Sequence, residues 1–226
     1  MLNKVTIVIP TRNEELNIRN VITQVKGYGD EILVVDGHST DRTREIAQEL
    51  NCRVILDNGV GKGDGIRCAL KAAEGDIVLF IDADGSHEAK DIPELLKPII
   101  EGKADMVVAS RFRGGSDEFV GDIEKLLRIV GSNIITTCIN YRFGIWLTES
   151  QNGFRAIRRE AGLKLDLKEN ITTIEQEMTI KCLKKGYRIV EVPSHEYARR
   201  CGDSKIILRK VWFRYIYSWI KYCYFP

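Results

Sequence analysis

The chain has 226 residues, of which 44% are hydrophobic and 29% are charged, with a formal net charge of +2. This is the composition of an ordinary globular protein, and it excludes a disordered or fibrous chain. The first residues enter a strand pattern without the basic and apolar regions of a secretory signal, so we expect a cytoplasmic protein. We expect no nucleic-acid partner. The six cysteines have neither metal-binding nor disulfide spacing, which predicts reduced thiols with structural roles.

Short apolar runs alternate with helical patterns along the first half of the chain. The runs are rich in β-branched residues and nearly continuous, which is typical of strands buried on both faces of a parallel sheet. They cover residues 5–9, 32–35, 54–56, 77–81 and 106–109. The helical patterns cover residues 14–26, 41–50, 65–73 and 91–101. This order predicts an α/β fold with a doubly wound, mostly parallel sheet and flanking helices.

Polar side chains cluster where three of the predicted strands end. Residues 11–14 follow the first strand, residues 36–39 follow the second and residues 82–86 follow the fourth. In open parallel sheets, ligands bind outside the carboxyl ends of the strands. The topology therefore predicts one binding site that gathers these three segments.

The segment IVLFIDADGS, residues 77–86, carries the clearest chemical signal. Asp82 and Asp84 are two apart in an extended segment, so their carboxylates point the same way and can share one divalent cation. A metal-bound diphosphate would suit such a pair. Taken alone the motif is weak, because acidic turns after strands are common and most of them only solvate the chain or cap a helix.

The regular alternation stops after residue 109. Residues 111–119 predict a glycine-rich loop, either a lid or a disordered connection, and residues 122–141 predict a long amphipathic helix. Three further elements complete a single domain that we assign to residues 1–204. They are a strand over residues 154–157, a helix over 173–185 and a strand over 187–192.

Basic residues concentrate at the end of the chain. From Arg199 onward there are seven Lys or Arg against one acid, a balance of +6 that leaves −4 for the preceding residues. Residues 205–226 predict an amphipathic helix that segregates cations from aromatics, as helices lying on anionic membranes do. Charge interrupts this segment too often for it to span a bilayer. The alternative is a helix that docks on its own domain or on a partner, either a second copy or a membrane protein.

Six sequence blocks together resemble the family-2 glycosyltransferases of GT-A fold. They occur in the order of the family, as VIPTRNEELNI, EILVVDGHSTDRT, GKGDGIRCALKAAEGDIVLFIDADGSH, QNGFRAIRRE, GYRIVEVP and ARRCGDSK. Within this family the chain is most similar to the dolichol-phosphate mannosyltransferase-like, or polyprenyl-phosphate glycosyltransferase, branch. The order of the blocks makes the resemblance specific, because chance similarity would not preserve it.

The resemblance implies a nucleotide-sugar donor and a divalent cofactor, Mg²⁺ or Mn²⁺. It implies metal ligation by Asp82, Asp84 and a possible further ligand, Ser86. The chain departs from the branch at Arg12, where tyrosine is common, and at Gly37, where the family has a second aspartate. The substrate-binding residues implied by the resemblance are Pro10, Arg12, Glu14, Asp36, Lys62, Asp82, Ala83, Arg111, Arg199 and Lys205.

The catalytic residues expected from the resemblance are Asp84, Arg199 and Glu149. Glu149 and Glu177 remain open as a general base or an acceptor contact. A lipid phosphate acceptor requires no strong base, because a phosphate monoester is mostly ionised at neutral pH. A sugar hydroxyl would require one.

We therefore predict an inverting glycosyltransferase that moves a sugar from a GDP- or UDP-linked donor to a polyprenyl or dolichyl phosphate. The enzyme would lie at the cytoplasmic face of a membrane and contact it through the C-terminal helix. Two alternatives stay open, transfer to a sugar hydroxyl of a glycan and a non-catalytic scaffold subunit that binds nucleotide sugars.

Overall fold

The computed structural model describes residues 3–119, 123–199, 201 and 208–225. Within these residues, seven strands form one sheet. The strands are β1 (Val5–Thr11), β2 (Glu31–Asp36), β3 (Arg53–Leu56), β4 (Ile77–Phe80), β5 (Met106–Ser110), β6 (Arg155–Arg158) and β7 (Ile189–Pro193). The helices are α1 (Ile18–Val25), α2 (Thr43–Glu49), α3 (Lys62–Ala72), α4 (Ile92–Ile100), α5 (Arg111–Gly114), α6 (Ile123–Phe143), α7 (Arg159–Lys164), α8 (Ile174–Lys184) and α9 (Leu208–Tyr224).

The strand order is β3-β2-β1-β4-β6-β5-β7. β6 runs antiparallel to both of its neighbours, β4 and β5, while the other adjacent strands pair in parallel. The predicted α/β class and the mostly parallel sheet are confirmed. The order reverses between β1 and β4, so the carboxyl ends of these two central strands open a crevice of the kind that binds ligands.

Two apolar layers cover the two faces of the sheet. Successive residues of β1 alternate between them, with Ile7 and Ile9 in one layer and Val8 in the other. The first layer is closed by α1, α2 and α4, and the second by α3, α7 and α8. Burial of each such side chain contributes roughly 1.5–3 kcal/mol. All six cysteines lie in the described part of the chain and are free thiols.

The segment predicted as a glycine-rich loop is built differently. Residues 111–114 form the short helix α5, Ser116 pairs with Glu196 as an isolated parallel bridge, and Asp117–Phe119 form a turn of 3-10 helix. The glycines permit close packing rather than disorder, since a Cβ at Gly114 would lie 2.3 Å from the carbonyl carbon of Ser194. The prediction of a disordered connection was therefore wrong for these residues, whereas the lid stays a prediction.

The C-terminal helix α9 packs against α8 and α6. Its inward side chains include Tyr215, Trp219, Tyr222 and Cys223, which join one apolar cluster with α6 and α8. The Tyr215 hydroxyl donates to Thr172 Oγ1 at 2.7 Å. Docking on its own domain, one of the two alternatives for this segment, is therefore present. The opposite face of α9 stays exposed, and its large apolar residues are Trp212, Phe213, Ile216, Tyr217, Ile220 and Tyr224.

Candidate active site

Asp82 and Asp84 follow β4 directly and stand at the crevice between the central strands. Ser86 orients the second of them, because its backbone N–H and its hydroxyl donate to Asp84 Oδ1 at 3.0 and 2.7 Å. Ala83 between the aspartates is buried. The segment that sequence analysis singled out is therefore a rigid turn that points two carboxylates into the crevice.

Each of these carboxylates faces a cation. Lys62 Nζ lies 2.7 Å from Asp82 Oδ1, and Arg199 Nη2 lies 2.9 Å from Asp84 Oδ2. Lys62 Nζ also lies 2.8 Å from Glu175 Oε1, so one ammonium joins two carboxylates. Burial opposes the charged forms here, but Lys62 holds the pKa of Asp82 below its usual value, and the two carboxylates raise the pKa of Lys62.

A first cavity of about 300 Å³, which we call the donor cavity, opens on one side of this ion-pair cluster. It lies at the ends of β1, β2 and β3 and at the start of α3. Of the predicted substrate-binding residues, seven line it. They are Pro10, Arg12, Glu14, Lys62, Asp82, Ala83 and Arg199.

Asp36 has a different position from the one expected. Its carboxylate is fully buried and accepts hydrogen bonds from the backbone N–H and the hydroxyl of Ser39, at 2.8 and 2.5 Å. Asp36 thus stabilises the loop behind the cavity wall, whereas Asp57, at the end of β3, lines the donor cavity itself. Sequence analysis missed Asp57, although its place after a predicted strand is the signal that would have found it.

A second cavity of about 420 Å³, which we call the acceptor cavity, shares the aspartate pair with the first. Its polar lining includes Ser86, Arg111 and Arg199 beside Asp82 and Asp84. Its outer walls are the apolar side chains of two helices. These are Leu127, Ile134 and Ile135 of α6 and Trp212 and Ile216 of α9.

Arg111 lines the acceptor cavity, where two carboxylates hold its guanidinium group in place. Its Nε lies 2.8 Å from Glu149 Oε2 and its Nη1 donates to Glu196 Oε2 at 2.9 Å. Burial raises the pKa of Glu149 despite this partner. Because Glu149 is fully buried behind the wall, the geometry makes it a support for Arg111 rather than a base that meets substrate.

Three arginines line the acceptor cavity, and acidic side chains pair with Arg111 and with Arg199. Arg128 of α6 lines it together with Arg111 and Arg199. Burial lowers the pKa of Arg128, and the positive charges of Arg111 and Arg199 lower it further. Guanidinium groups bind phosphate oxygens through paired hydrogen bonds, so these residue types suit an anionic ligand. Sequence analysis missed Arg128, because a basic residue in an amphipathic helix gives no sign of facing a pocket.

Other charged residues of the predicted set have structural positions or lie outside the described residues. Glu177 accepts hydrogen bonds from the backbone N–H of Lys168 and Glu169, at 2.9 and 2.8 Å, and pairs with Lys181. Glu177 therefore stabilises the turn at residues 168–169. Its geometry does not fit a general base or an acceptor contact. Lys205 lies outside the described residues.

Asp82 and Asp84 fit a divalent metal ion that is shared with a bound diphosphate. Within the described part of the chain, no group of three or more acidic, His or Cys side chains is arranged for a metal. Mg²⁺ and Mn²⁺ often bind through one or two carboxylates together with substrate phosphates and water. His87 lines the same end of the acceptor cavity, where burial lowers its pKa. The protein thus supplies part of a coordination shell that a diphosphate would complete.

The sheet order and the crevice at the strand ends are those of the GT-A fold. The model of the family described as "Glycosyl transferase family 2" matches residues 6–164. The chain belongs to this family, and the resemblance seen in the sequence blocks is confirmed.

Two relatives from Haloferax volcanii extend the match beyond the family model. The chain is 36% identical to glycosyltransferase AglJ over 202 residues, which cover 88% of this chain and 65% of that protein. It is 30% identical to a dolichyl-phosphate hexose transferase over 203 residues, which cover 88% of this chain and 85% of that protein. The chain thus spans less than two thirds of AglJ.

Solved structures share the fold at low sequence identity. Glucosyl-3-phosphoglycerate synthase from Mycobacterium tuberculosis, in complex with Mn²⁺ and UDP-glucose, superposes with a TM-score of 0.80 at 22% identity. The similarity covers 100% of this chain and 80% of that one. A complex of the same enzyme with phosphoglyceric acid gives 0.79 at 23% identity. The GT-A architecture is therefore confirmed by structure as well as by sequence.

Proposed function

We propose that this protein is an inverting glycosyltransferase that moves a sugar from a nucleoside diphosphate to the phosphate of a polyprenyl lipid. One observation carries the proposal. The acceptor cavity is lined by the aspartate pair and three arginines and also by apolar side chains of α6 and α9. An amphiphile with an anionic head and a hydrocarbon chain suits a lining of both kinds. The name of the dolichyl-phosphate hexose transferase supports this class of acceptor.

The donor would occupy the donor cavity, with its diphosphate at the aspartate pair. Mg²⁺ or Mn²⁺ held by Asp82 and Asp84 would neutralise the charge that develops on the departing diphosphate. Ser86 keeps Asp84 in position for this task through two hydrogen bonds. The Mn²⁺ and UDP-glucose bound by the mycobacterial synthase support this type of donor and cofactor.

The acceptor phosphate would lie among Arg111, Arg128 and Arg199. A phosphate monoester is mostly ionised at neutral pH, so it attacks without a general base. The buried position of Glu149, behind Arg111, agrees with a mechanism of this kind. The two cavities meet at the aspartates, and an acceptor that approaches the sugar from the side opposite the leaving diphosphate would invert the anomeric configuration.

The apolar faces around the acceptor cavity support contact with a membrane surface. α6 exposes an outward row of large apolar side chains beside the exposed face of α9. Its members are Ile123, Leu126, Leu127, Val130 and Ile134. Among the helices that the structure describes, none has the length and apolar character needed to cross a bilayer. We therefore propose a peripheral enzyme that meets its lipid acceptor at the membrane surface.

A donor and acceptor screen tests the function. Purified protein would be incubated with GDP-mannose or UDP-glucose, Mg²⁺ or Mn²⁺, and a short-chain polyprenyl phosphate, and release of nucleoside diphosphate would be measured. We expect release that depends on both the metal and the lipid phosphate. Release driven by a free glycan but not by the lipid phosphate would instead support the sugar-hydroxyl alternative.

A matched pair of variants tests the route of the lipid chain. Ile134 lines the acceptor cavity and Ile100 lies on α4, outside both cavities, yet their exposures are similar, 59% and 54%. Ile134→Ser should raise the KM for lipid phosphate by about tenfold, because it removes apolar contact with the chain. Ile100→Ser should leave it unchanged. Equal KM values for the two variants would contradict a lipid route along α6.

A further inference from the structure

Lys62 stands at the boundary between the two cavities and lines both. It lies in the first turn of α3, and its ammonium is held between Asp82 of the β4 turn and Glu175 of α8, at 2.7 and 2.8 Å. The distances are nearly equal, so neither carboxylate holds the ammonium alone.

This arrangement places two cations in competition for Asp82. A divalent ion bound by Asp82 and Asp84 would lie close to the ammonium that now pairs with Asp82. Like charges repel strongly in a partly buried site, so Lys62 has to withdraw from Asp82 when the metal binds. A buried ammonium that loses its partner is unstable unless a second acceptor is available.

Glu175 is positioned to be that second acceptor. Its side chain is 2% exposed, and its backbone carbonyl accepts a hydrogen bond from Nη1 of the fully buried Arg155 at 2.8 Å. Gly153 closes the space on the other side, since a Cβ there would lie 2.6 Å from Asp82 Oδ2 and 2.9 Å from Lys62 Nζ. Lys62 is thus confined to a short path between two carboxylates.

We propose that Glu175 is a positioning residue that takes over Lys62 when a metal ion occupies Asp82. The ammonium then remains at the boundary of the cavities, where it binds the diphosphate of the incoming donor. Glu175 would act through Lys62 and would not coordinate the metal itself. The proposal rests on the metal-bound nucleotide donor of the proposed function, and it is independent of the acceptor.

Titration of Mn²⁺, followed by its electron paramagnetic resonance signal with no acceptor or sugar present, tests this role. Glu175→Gln should weaken Mn²⁺ binding by about tenfold, since Lys62 then keeps Asp82 as its remaining carboxylate partner in the pair. Lys62→Gln should strengthen Mn²⁺ binding by about tenfold, because it removes the competing cation. In the Lys62→Gln background, adding Glu175→Gln should change the affinity less than about twofold.

The double-mutant cycle separates positioning from a simple charge effect. An equal loss of Mn²⁺ affinity from Glu175→Gln with and without Lys62 would show that Glu175 acts only by its own charge, and it would overturn the proposal. Lys62→Gln variants that bind Mn²⁺ no better than the wild type would overturn it as well. Failure of the wild type to bind Mn²⁺, even with UDP or GDP, would reject the metal of the proposed function too.

Two further measurements distinguish the proposed role of Glu175 from a purely structural effect on the fold. UDP and GDP binding at saturating Mn²⁺ should weaken in both Lys62→Gln proteins, because the ammonium no longer meets the diphosphate. Glu177→Gln serves as the matched control, since it also removes a buried carboxylate from α8. It should lower the unfolding temperature and leave Mn²⁺ affinity unchanged. A loss of Mn²⁺ affinity equal to that of Glu175→Gln would contradict a specific role for Glu175.

Discussion

The two cavities are built from different kinds of structure. The donor cavity lies on strand ends and their loops, which hydrogen bonds between side chains and backbone hold together. Asn13 illustrates this, because its backbone N–H donates to Ser39 Oγ and its side chain accepts from Thr40 N, both at 2.8 Å. The acceptor cavity is walled by α6 and α9, which pack on each other and on α8 beyond the sheet. The sheet thus fixes the donor side, and two peripheral helices shape the acceptor side.

This difference shows which parts of the site follow from the fold. A ligand crevice at the strand ends is a property of the open parallel sheet. The acceptor side depends on the surface chemistry of two helices, which can change without disturbing the core. Variants on the two sides should therefore change different measured quantities.

The largest effect should come from the boundary that the cavities share. Asp84→Asn should reduce turnover by at least about a hundredfold, because it removes a metal ligand where charge develops on the diphosphate. The free energy of unfolding should change by no more than about 1 kcal/mol, since the residue stands outside the core. Release of nucleoside diphosphate and thermal unfolding would be measured together. Wild-type turnover in Asp84→Asn would contradict the metal assignment.

On the donor side, Asp57→Asn should weaken nucleotide binding by about tenfold, which corresponds to one charged hydrogen bond. The amide oxygen can still accept from Gly59 N, so the loop should keep its shape. The KM for lipid phosphate should stay the same. Asp36→Asn is the control, because Asp36 is buried and should affect stability more than nucleotide affinity. Weaker nucleotide binding in Asp36→Asn than in Asp57→Asn would restore Asp36 as the nucleoside contact.

Substitutions on the two faces of α9 should change different quantities, vesicle binding for the outward face and the free energy of unfolding for the inward face. Phe213, 63% exposed, faces outward, so Phe213→Ser should reduce sedimentation with anionic vesicles severalfold and change stability by less than about 0.5 kcal/mol. Tyr215→Phe removes the hydrogen bond to Thr172 and should lower the free energy of unfolding by about 1 kcal/mol. Vesicle binding of this second variant should stay at the wild-type level. If Phe213→Ser binds vesicles as wild type does, the outward face is not a membrane contact.

The smallest effect concerns the segment from Arg111 to Phe119, through the contact of its Asp117 with His195. The hydrogen bond from His195 Nε2 to Asp117 Oδ1, at 3.0 Å, raises the pKa of His195 above its ordinary 6.5. A raised pKa means that the charged pair stabilises the fold below about pH 6.5 and that this contribution is lost as pH rises through the folded pKa. NMR titration of the imidazole would measure it. Asp117→Asn should return the pKa towards 6.5, and an unchanged titration would exclude the pairing.

The sheet and the donor side were largely predictable from the sequence. Apolar runs with few charges identify strands, and the polar residues at their ends fall in the crevice because the topology puts them there. Pro10, Glu14 and Asp82 line the cavity at the edge of the sheet where the strand pattern predicted them. The same logic failed for Asp36, since sequence does not tell whether a carboxylate after a strand turns towards the ligand or towards its own loop.

The acceptor side was less predictable, because its residues meet through tertiary contacts. Arg128 and Glu175 lie on different helices, far apart in sequence, and no local pattern links them to Asp82. The loop after β5 was misjudged because its glycines suggested flexibility, whereas they let α5 approach the backbone of Ser194. For α9 the amphipathic pattern was clear, but hydropathy alone does not distinguish a face that packs inward from one that stays exposed.

The antiparallel strand β6 has a consequence for how the chain is made. It lies between β4 and β5 in the sheet, although it follows both in the sequence. During synthesis, β5 therefore leaves the ribosome long before either of its neighbours, β6 and β7, exists. An emerging strand without partners is prone to pair with other chains. A nascent chain that stalls after β5 should thus be held by chaperones, while β1 to β4 can already form a native parallel sheet.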